Sequence, residues 1–269
     1  MHIMSHADAV HHRFSRGLSR RLLLALIGVG LSAFFSTPAF AQDWKAMDEA
    51  NLRKEFKAVR AQLDQAKAGH ENDVEWLWRM ARSEYDLGNQ LPDSDKRNHK
   101  HMDTGLEFAK KAVAANEKSA DAHSWFSILI GKVGLLQGTE AKIKNSYLVK
   151  QHAMRAIELD PKDDTNYHIM GRWHYELSNL NWVERTVASM VYATPPKATY
   201  ADSISYLSKA RDLDPLDIQH YYWLARSQKA AGKKQDAAVT LNRAIQLKPR
   251  DEAEQRLYGQ SKELLMELK

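Results

Sequence analysis

The 269-residue sequence predicts an all-α fold of stacked helix pairs, and two observations carry that expectation. The first is the stretch from Ile218 to Asp251, which reads as two short helices about a turn. Tyr221, Leu224 and Ala225 give one helix an apolar stripe at i, i+3 and i+4, and Ala237, Leu241, Ala244 and Leu247 give the next helix another. Gly232 supplies the turn, and Pro249 stops the second helix because it cannot donate the next backbone hydrogen bond. The second observation is recurrence. Ala244 with Pro249 five positions on is matched by Ala210 with Pro215, Ala156 with Pro161, and Ala112 with Glu117. The surrounding phrases are KAVAANEKS, RAIELDPKD, KARDLDPLD and RAIQLKPRD.

The last interval, 34 residues, and the order of aromatic, Leu, small residue and Pro resemble a tetratricopeptide repeat. The other two intervals, 44 and 54 residues, imply insertions of 10 and 20. A single helix pair cannot bury its own apolar face, so stacking is required, and four pairs suffice for one domain. The expected fold is a tetratricopeptide-like helical repeat solenoid of about four helix pairs. An N-terminal helix, one inserted helix and a C-terminal capping helix complete it.

Taken in order, residues 1–41 read as a cleaved signal peptide. Arg13, Arg16, Arg20 and Arg21 precede the apolar run Leu22 to Phe35, and Ala39-Phe40-Ala41 offers small residues for cleavage before Gln42. The run falls short of the roughly 20 apolar residues a membrane span needs. General and twin-arginine export both remain open, and either leads to a soluble periplasmic protein with no transmembrane segment in the mature chain. The absence of cysteine excludes disulfides, thiolate metal sites and a thiol nucleophile. Without residues 1–41 the chain keeps 35 basic and 33 acidic side chains, and so small an excess gives no reason to expect a nucleic-acid partner.

Residues 42–72 read as one amphipathic helix leading into a repeat domain over 73–250. The first repeat helix, Val74 to Leu87, should end at Gly88 and be followed by a polar loop containing His99 and His101, more consistent with a solvated segment than a metal site. A helix from near Ala120 should end at Gly134, and Thr139 should cap a helix of about six turns running to Asp160. The larger insertion reads as an extra helix from about Trp182 to Ala193, broken by Pro195-Pro196, with the repeat resuming at Tyr200. Residues 251–269 form the cap.

Beyond the generic repeat, three segments resemble the regulator of microtubule dynamics family: WLWRMARSEYDLG, GTEAKIKNSYLVKQHAMRAIELDPKD and NWVERTVASMVYATPPKATYADSISYLSKARDLDP. The resemblance covers about Val74 to Pro249. GTEAKIKNSY (Gly138 to Tyr147) and ATPPKATY (Ala193 to Tyr200) fall in the two insertions, where a generic repeat would have nothing. The resemblance implies an all-helical repeat domain without enzymatic activity, with roles in some eukaryotic relatives at microtubules or in binding phospholipid at organelle contacts. The export signal would separate this chain from a cytoskeleton.

No phosphate-binding glycine loop, serine-nucleophile elbow or paired-histidine zinc motif is present, so no enzyme or cofactor is expected. The informative positions lie one residue after each first-helix core position and then at i+4 and i+7, sharing one helix face. They are Trp78, Arg82 and Tyr85; Ser124, Ile128 and Gly131; His168, Arg172 and Tyr175; and Tyr222, Arg226 and Lys229. Arginine between aromatic or basic neighbours suits a carboxylate or phosphate in a concave groove, which makes a protein or peptide the expected partner and phospholipid the alternative. The competing reading is a face neutralised by acids from neighbouring helices. Ser124, Ile128 and Gly131 leave room for an apolar group. Trp182, Val183, Val187, Met190, Val191 and Tyr192 of the inserted helix would either close over it as a lid or pack as core.

Overall fold

The computed structural model describes residues 43–191 and 196–268. The signal peptide expected over 1–41 and the Pro195 break lie outside the described residues. Among those described there are helices and no strands, in the order α1 (Trp44–Leu52), α2 (Phe56–Gln65), α3 (Val74–Asn89), α4 (Lys96–Ala115), α5 (Ala120–Gln137), α6 (Thr139–Leu159), α7 (Asp164–Ser178), α8 (Trp182–Val191), α9 (Tyr200–Leu213), α10 (Ile218–Ala230), α11 (Lys234–Ala244) and α12 (Glu252–Glu267).

The repeat phrase works locally by capping. Ser119, Asp163, Asp217 and Asp251, the last residues of the four phrases, cap α5, α7, α10 and α12, each side chain accepting a backbone N–H of the first turn. Each cap contributes about 1 kcal/mol, and together they set where one repeat gives way to the next. The four pairs are α3/α4, α5/α6, α7/α9 and α10/α11. Ala81, Ala109, Ala112, Ala153, Ala156, Ala210, Ala225, Ala237 and Ala244 are fully buried, so close approach of paired helices rests on small residues. Gly232, at φ 79°, makes the α10–α11 turn, a conformation L side chains adopt at a cost.

Several boundaries differ from the sequence reading. Residues 42–72 hold two helices, because Lys54 takes a left-handed conformation (φ 64°) and folds α2 back from α1. The stretch read as a polar loop is half helix. Asp95 caps α4, whose buried face includes Asn98, Met102 and Gly105, and whose exposed residues made it read as loop. His99 and His101 therefore lie on a helix; His101 Nδ1 is 2.6 Å from Glu84 Oε2. Gly88 and Gly134 do not end their helices; they let α4 and α6 pack closely, Met102 and Lys142 lying where a side chain would begin. The break after α5 falls at Gly138 (φ 98°), and Thr139 is the first helical residue with no capping side chain before it. α11 stops at Ala244, short of Leu247.

The insertion forms α8, packed against α6 through buried Ala188. Trp182, Val183 and Met190 are 79%, 60% and 80% exposed, so this part of the helix is not core. Val187 is half-buried, while the side chain of Val191 and all of Tyr192 lie outside the described residues. At the ends of the row, α1 and α2 cover α3, and α12 covers α10 and α11. Lys54 in the first turn reaches Asp251, the cap of α12, at 2.9 Å, so the row curls until its two ends meet.

Candidate binding cleft

The first helices of successive repeats, α3, α5, α7 and α10, carry the predicted row. Between them and α6 lies a cleft of about 320 Å3 lined by Tyr85, Ile128, Gly131, His168 and Arg172 from that row. The structure thus brings together members of the first three repeats. Trp125, Leu135, Val149, Ile169 and Trp173 supply apolar wall, a composition and volume within the range of small ligand sites. No α8 residue lines this cleft, so the inserted helix is not a lid on it among the described residues.

The rest of the row is used differently. Arg82 donates to Asp48 of α1 at 2.6 Å, beside Arg79, which reaches the same carboxylate at 2.6 Å. Trp78 lies beneath both guanidinium groups at 5.0 and 4.0 Å, donating its own N–H to Glu75. An acid from the N-terminal helix has occupied the clamp expected at repeat one. Lys229 is likewise paired with Glu267 of α12 at 2.6 Å. Ser124 is buried, with its hydroxyl bonded to Asn166 at 2.8 Å and Ala120.

The same α1 contact carries a pH signature. Asp86 of α3 accepts a 2.7 Å hydrogen bond from Asn51 of α1, yet burial pushes its carboxyl up to about 6. The native pKa lies above the unfolded value of about 3.8, so ionised Asp86 costs stability above pH 6, and the cost vanishes as pH falls toward 4. Asp86→Asn is expected to raise stability by about 1 to 2 kcal/mol at pH 7 and to change it little at pH 4, as read by urea unfolding. An equal gain at both pH values would show that the carboxylate's charge is not the cause.

Arg172 and Arg226 form no ion pair with an acid among the described residues. They flank the indole of Trp223, with guanidinium carbons 4.1 and 4.4 Å from the ring centre. Arg226 also stacks on Tyr175 at 4.8 Å and on Tyr222 at 5.7 Å, and donates to the Tyr175 hydroxyl at 3.0 Å. Arg172 makes no hydrogen bond or ion pair with any described residue. Burial presses its pKa down and nearby Glu176 and Tyr85 oppose that, while Arg226 adds to it. The other cations on the wall are engaged, Lys132 by Asp93 at 2.8 Å and Lys142 by Glu184 at 3.5 Å. Tyr85 stays a phenol, its pKa raised by burial.

Three neighbours escaped the sequence reading. Trp223 adjoins the predicted Tyr222, and its i+3 spacing to Arg226 was the available signal. His220 and Asp164 come from different repeats: His220 Nε2 lies 2.9 Å from Asp164 Oδ2, and its Nδ1 lies 2.9 Å from His168 Nδ1. Asp164, Asp217 and His220 are the described group close enough to hold a cation. Asp217 is already engaged by the Gln219 N–H at 2.7 Å and Arg250 at 2.9 Å.

Helix pairs in a curling row, with a cleft on the first-helix face, define a tetratricopeptide-like repeat protein. Across residues 43–269 the chain matches the family described as Regulator of microtubule dynamics protein 1-3, and it belongs to that family. It is 35% identical to regulator of microtubule dynamics protein 1 of Bos taurus over 194 residues, which are 72% of this chain and 61% of the relative. The protein 1 of Pongo abelii is 41% identical over 143 residues, 53% of this chain and 46% of the relative. The chain thus spans about half to three-fifths of these relatives' length. Among solved structures, a thermophilic TPR protein in Thermus thermophilus has the same fold, at a TM-score of 0.59 and 14% identity over 81% of this chain and 96% of that one. No helix among the described residues is long and apolar enough to cross a membrane.

Proposed function

We propose that this chain is a non-catalytic, exported scaffold whose repeat domain binds an anionic segment of a partner protein in the cleft. One observation carries the reading: Arg172, on the cleft wall and over Trp223, forms no ion pair among the described residues, although Arg82 at the corresponding place in repeat one is paired with Asp48. A guanidinium over an indole that makes no ion pair has donors left for a carboxylate. The apolar wall of Trp125, Ile128, Leu135 and Val149 supports a second reading, a phospholipid or another amphipathic anion. A photo-crosslinking residue at Ile128, introduced in the native cell, separates the two. The proposal expects a peptide adduct that disappears with Arg172→Gln; a lipid adduct, or a peptide adduct indifferent to that change, would sink it.

The export signal of residues 1–41 supports a periplasmic location, away from microtubules. The intact mass of the protein from the cell envelope is expected to begin at Gln42. An uncleaved chain in the cytoplasmic fraction would refute this.

A further inference from the structure

The inserted helix α8 lies outside the repeat pattern, and it turns apolar side chains outward. Trp182, Val183 and Met190 are its exposed large apolar residues, and Trp182 and Met190 stand two turns apart on one face with Thr186 between them. The polar groups on that face are satisfied inside the helix. Thr186 Oγ1 donates to the Trp182 carbonyl and Ser189 Oγ to the Arg185 carbonyl, each at 3.0 Å, so neither hydroxyl proton needs water. Asn181 and Glu184 exchange two 3.0 Å hydrogen bonds as a capping box, which fixes the start of the helix. Glu184, the acid of α8, lies 3.5 Å from Lys142. The charges left at the surface are positive: Arg185 and, just beyond α8, Lys197 are exposed and form no ion pair with a described residue. Arg185 donates to the Leu180 and Ser178 carbonyls at 3.0 Å each, which leaves part of its donor fork free. Beside it a slot of about 240 Å3 is lined by Ile143, Leu177, Leu180 and Ala188.

We propose that α8 is a docking helix for an anionic phospholipid surface, with Trp182, Val183 and Met190 among the headgroups and upper acyl chains and Arg185 on a lipid phosphate. An indole suits that depth, because its body is apolar and its N–H is polar. A guanidinium pairs with phosphate through its planar fork, and Lys197 adds charge of the same sign. The slot beside Arg185 gives apolar room next to the phosphate it would hold. A second copy of the chain, or another protein, fits less well. Three side chains on a ten-residue helix offer on the order of a few hundred Å2, against about 800 Å2 per partner in a stable protein interface. A bilayer needs no matching surface, and its hold grows with the apolar area and positive charge presented to it. No α8 residue lines the cleft, so this face works independently of what the cleft binds.

The test floats the full mature protein with vesicles of phosphatidylcholine alone and of phosphatidylcholine mixed with phosphatidylglycerol, some carrying brominated acyl chains that quench tryptophan. Binding to the mixed vesicles is expected to exceed binding to the neutral ones by about tenfold. Brominated chains should quench the wild-type protein and not Trp182→Phe, since the other tryptophans are buried or half-buried. Trp182→Ser with Met190→Ser, both at exposed positions, should lower partitioning at least about tenfold, and Arg185→Gln about fivefold. Arg172→Gln, in the cleft, should leave partitioning unchanged. Failure of the wild-type protein to float with the mixed vesicles would overturn the inference. Flotation that survives the double substitution would overturn it too, and its loss with Arg172→Gln instead would place the lipid in the cleft and favour the amphipathic-anion reading there. A concentration-dependent dimer that Trp182→Ser abolishes, without flotation, would assign the face to a second copy.

Discussion

Gly171→Ala is expected to destabilise the domain by about 2 to 3 kcal/mol, although alanine is the better helix former. Gly171 sits mid-α7 at the crossing with α9, where an added Cβ would press into Leu207, whose Cδ2 lies 2.9 Å from that point and whose Cγ is closer still. Leu207 is fully buried and cannot swing aside. The crossing is also pinned by Ser203, which donates to the Gly171 carbonyl at 2.7 Å and shares a 2.7 Å hydrogen bond with Ser227 of α10. Spreading α7 from α9 would therefore disturb the third and fourth repeats together. Gly259→Ala in α12 is the control, since nothing lies within 4 Å of the added methyl. There the change should stabilise by about 0.5 to 1 kcal/mol, the propensity and unfolded-chain contribution alone. Urea unfolding of the two variants measures both, and a neutral Gly171→Ala would show that α7 and α9 have slack at their crossing.

The contrast between those glycines illustrates what the sequence could and could not convey. The recurring small residue and the phrase that follows it were readable because both act within one helix or its immediate neighbour, whereas the Asp and Ser that close each phrase as caps went unread. The readable part sufficed for the four pairs, the long α6 and the start of α9 at Tyr200. The left-handed turn at Lys54 carries no glycine, asparagine or proline signal. The start of α4 was hidden because its early turns expose Lys96, Arg97 and Lys100 while burying only Asn98. At the cleft, a one-helix offset rule placed Tyr85, His168 and Arg172 on one wall. The competing reading, acids from neighbouring helices neutralising the row, holds at Arg82 and Lys229, but the sequence did not say that Asp48 and Glu267, from the helices at the two ends, would supply them. Nor could it order Asp164, His220 and His168, since those contacts join residues more than fifty positions apart.

The double variant Arg172→Ala with Arg226→Ala should weaken binding of the peptide captured at Ile128 by about 30- to 100-fold, equivalent to one or two charge-assisted hydrogen bonds. Stability should change by no more than about 1 kcal/mol, because two opposing effects act on the same ring. Removing the guanidinium groups loses their stacking on Trp223 at 4.1 and 4.4 Å. It also removes two like charges held close together, whose mutual repulsion contributes to the lowered pKa of Arg172. On the proposed reading, an incoming anion would relieve that repulsion, so the pair would serve a ligand more than the fold. Arg82, by contrast, has its anion inside the chain, and Asp48→Ala should cost stability without touching the cleft. Calorimetric titration with the captured peptide, paired with urea unfolding of each variant, separates the two arginine sites. Unchanged affinity in the double variant, or loss of its helical signal, would make the Arg172 and Arg226 pair a structural element and remove the basis for the cleft as an anion site.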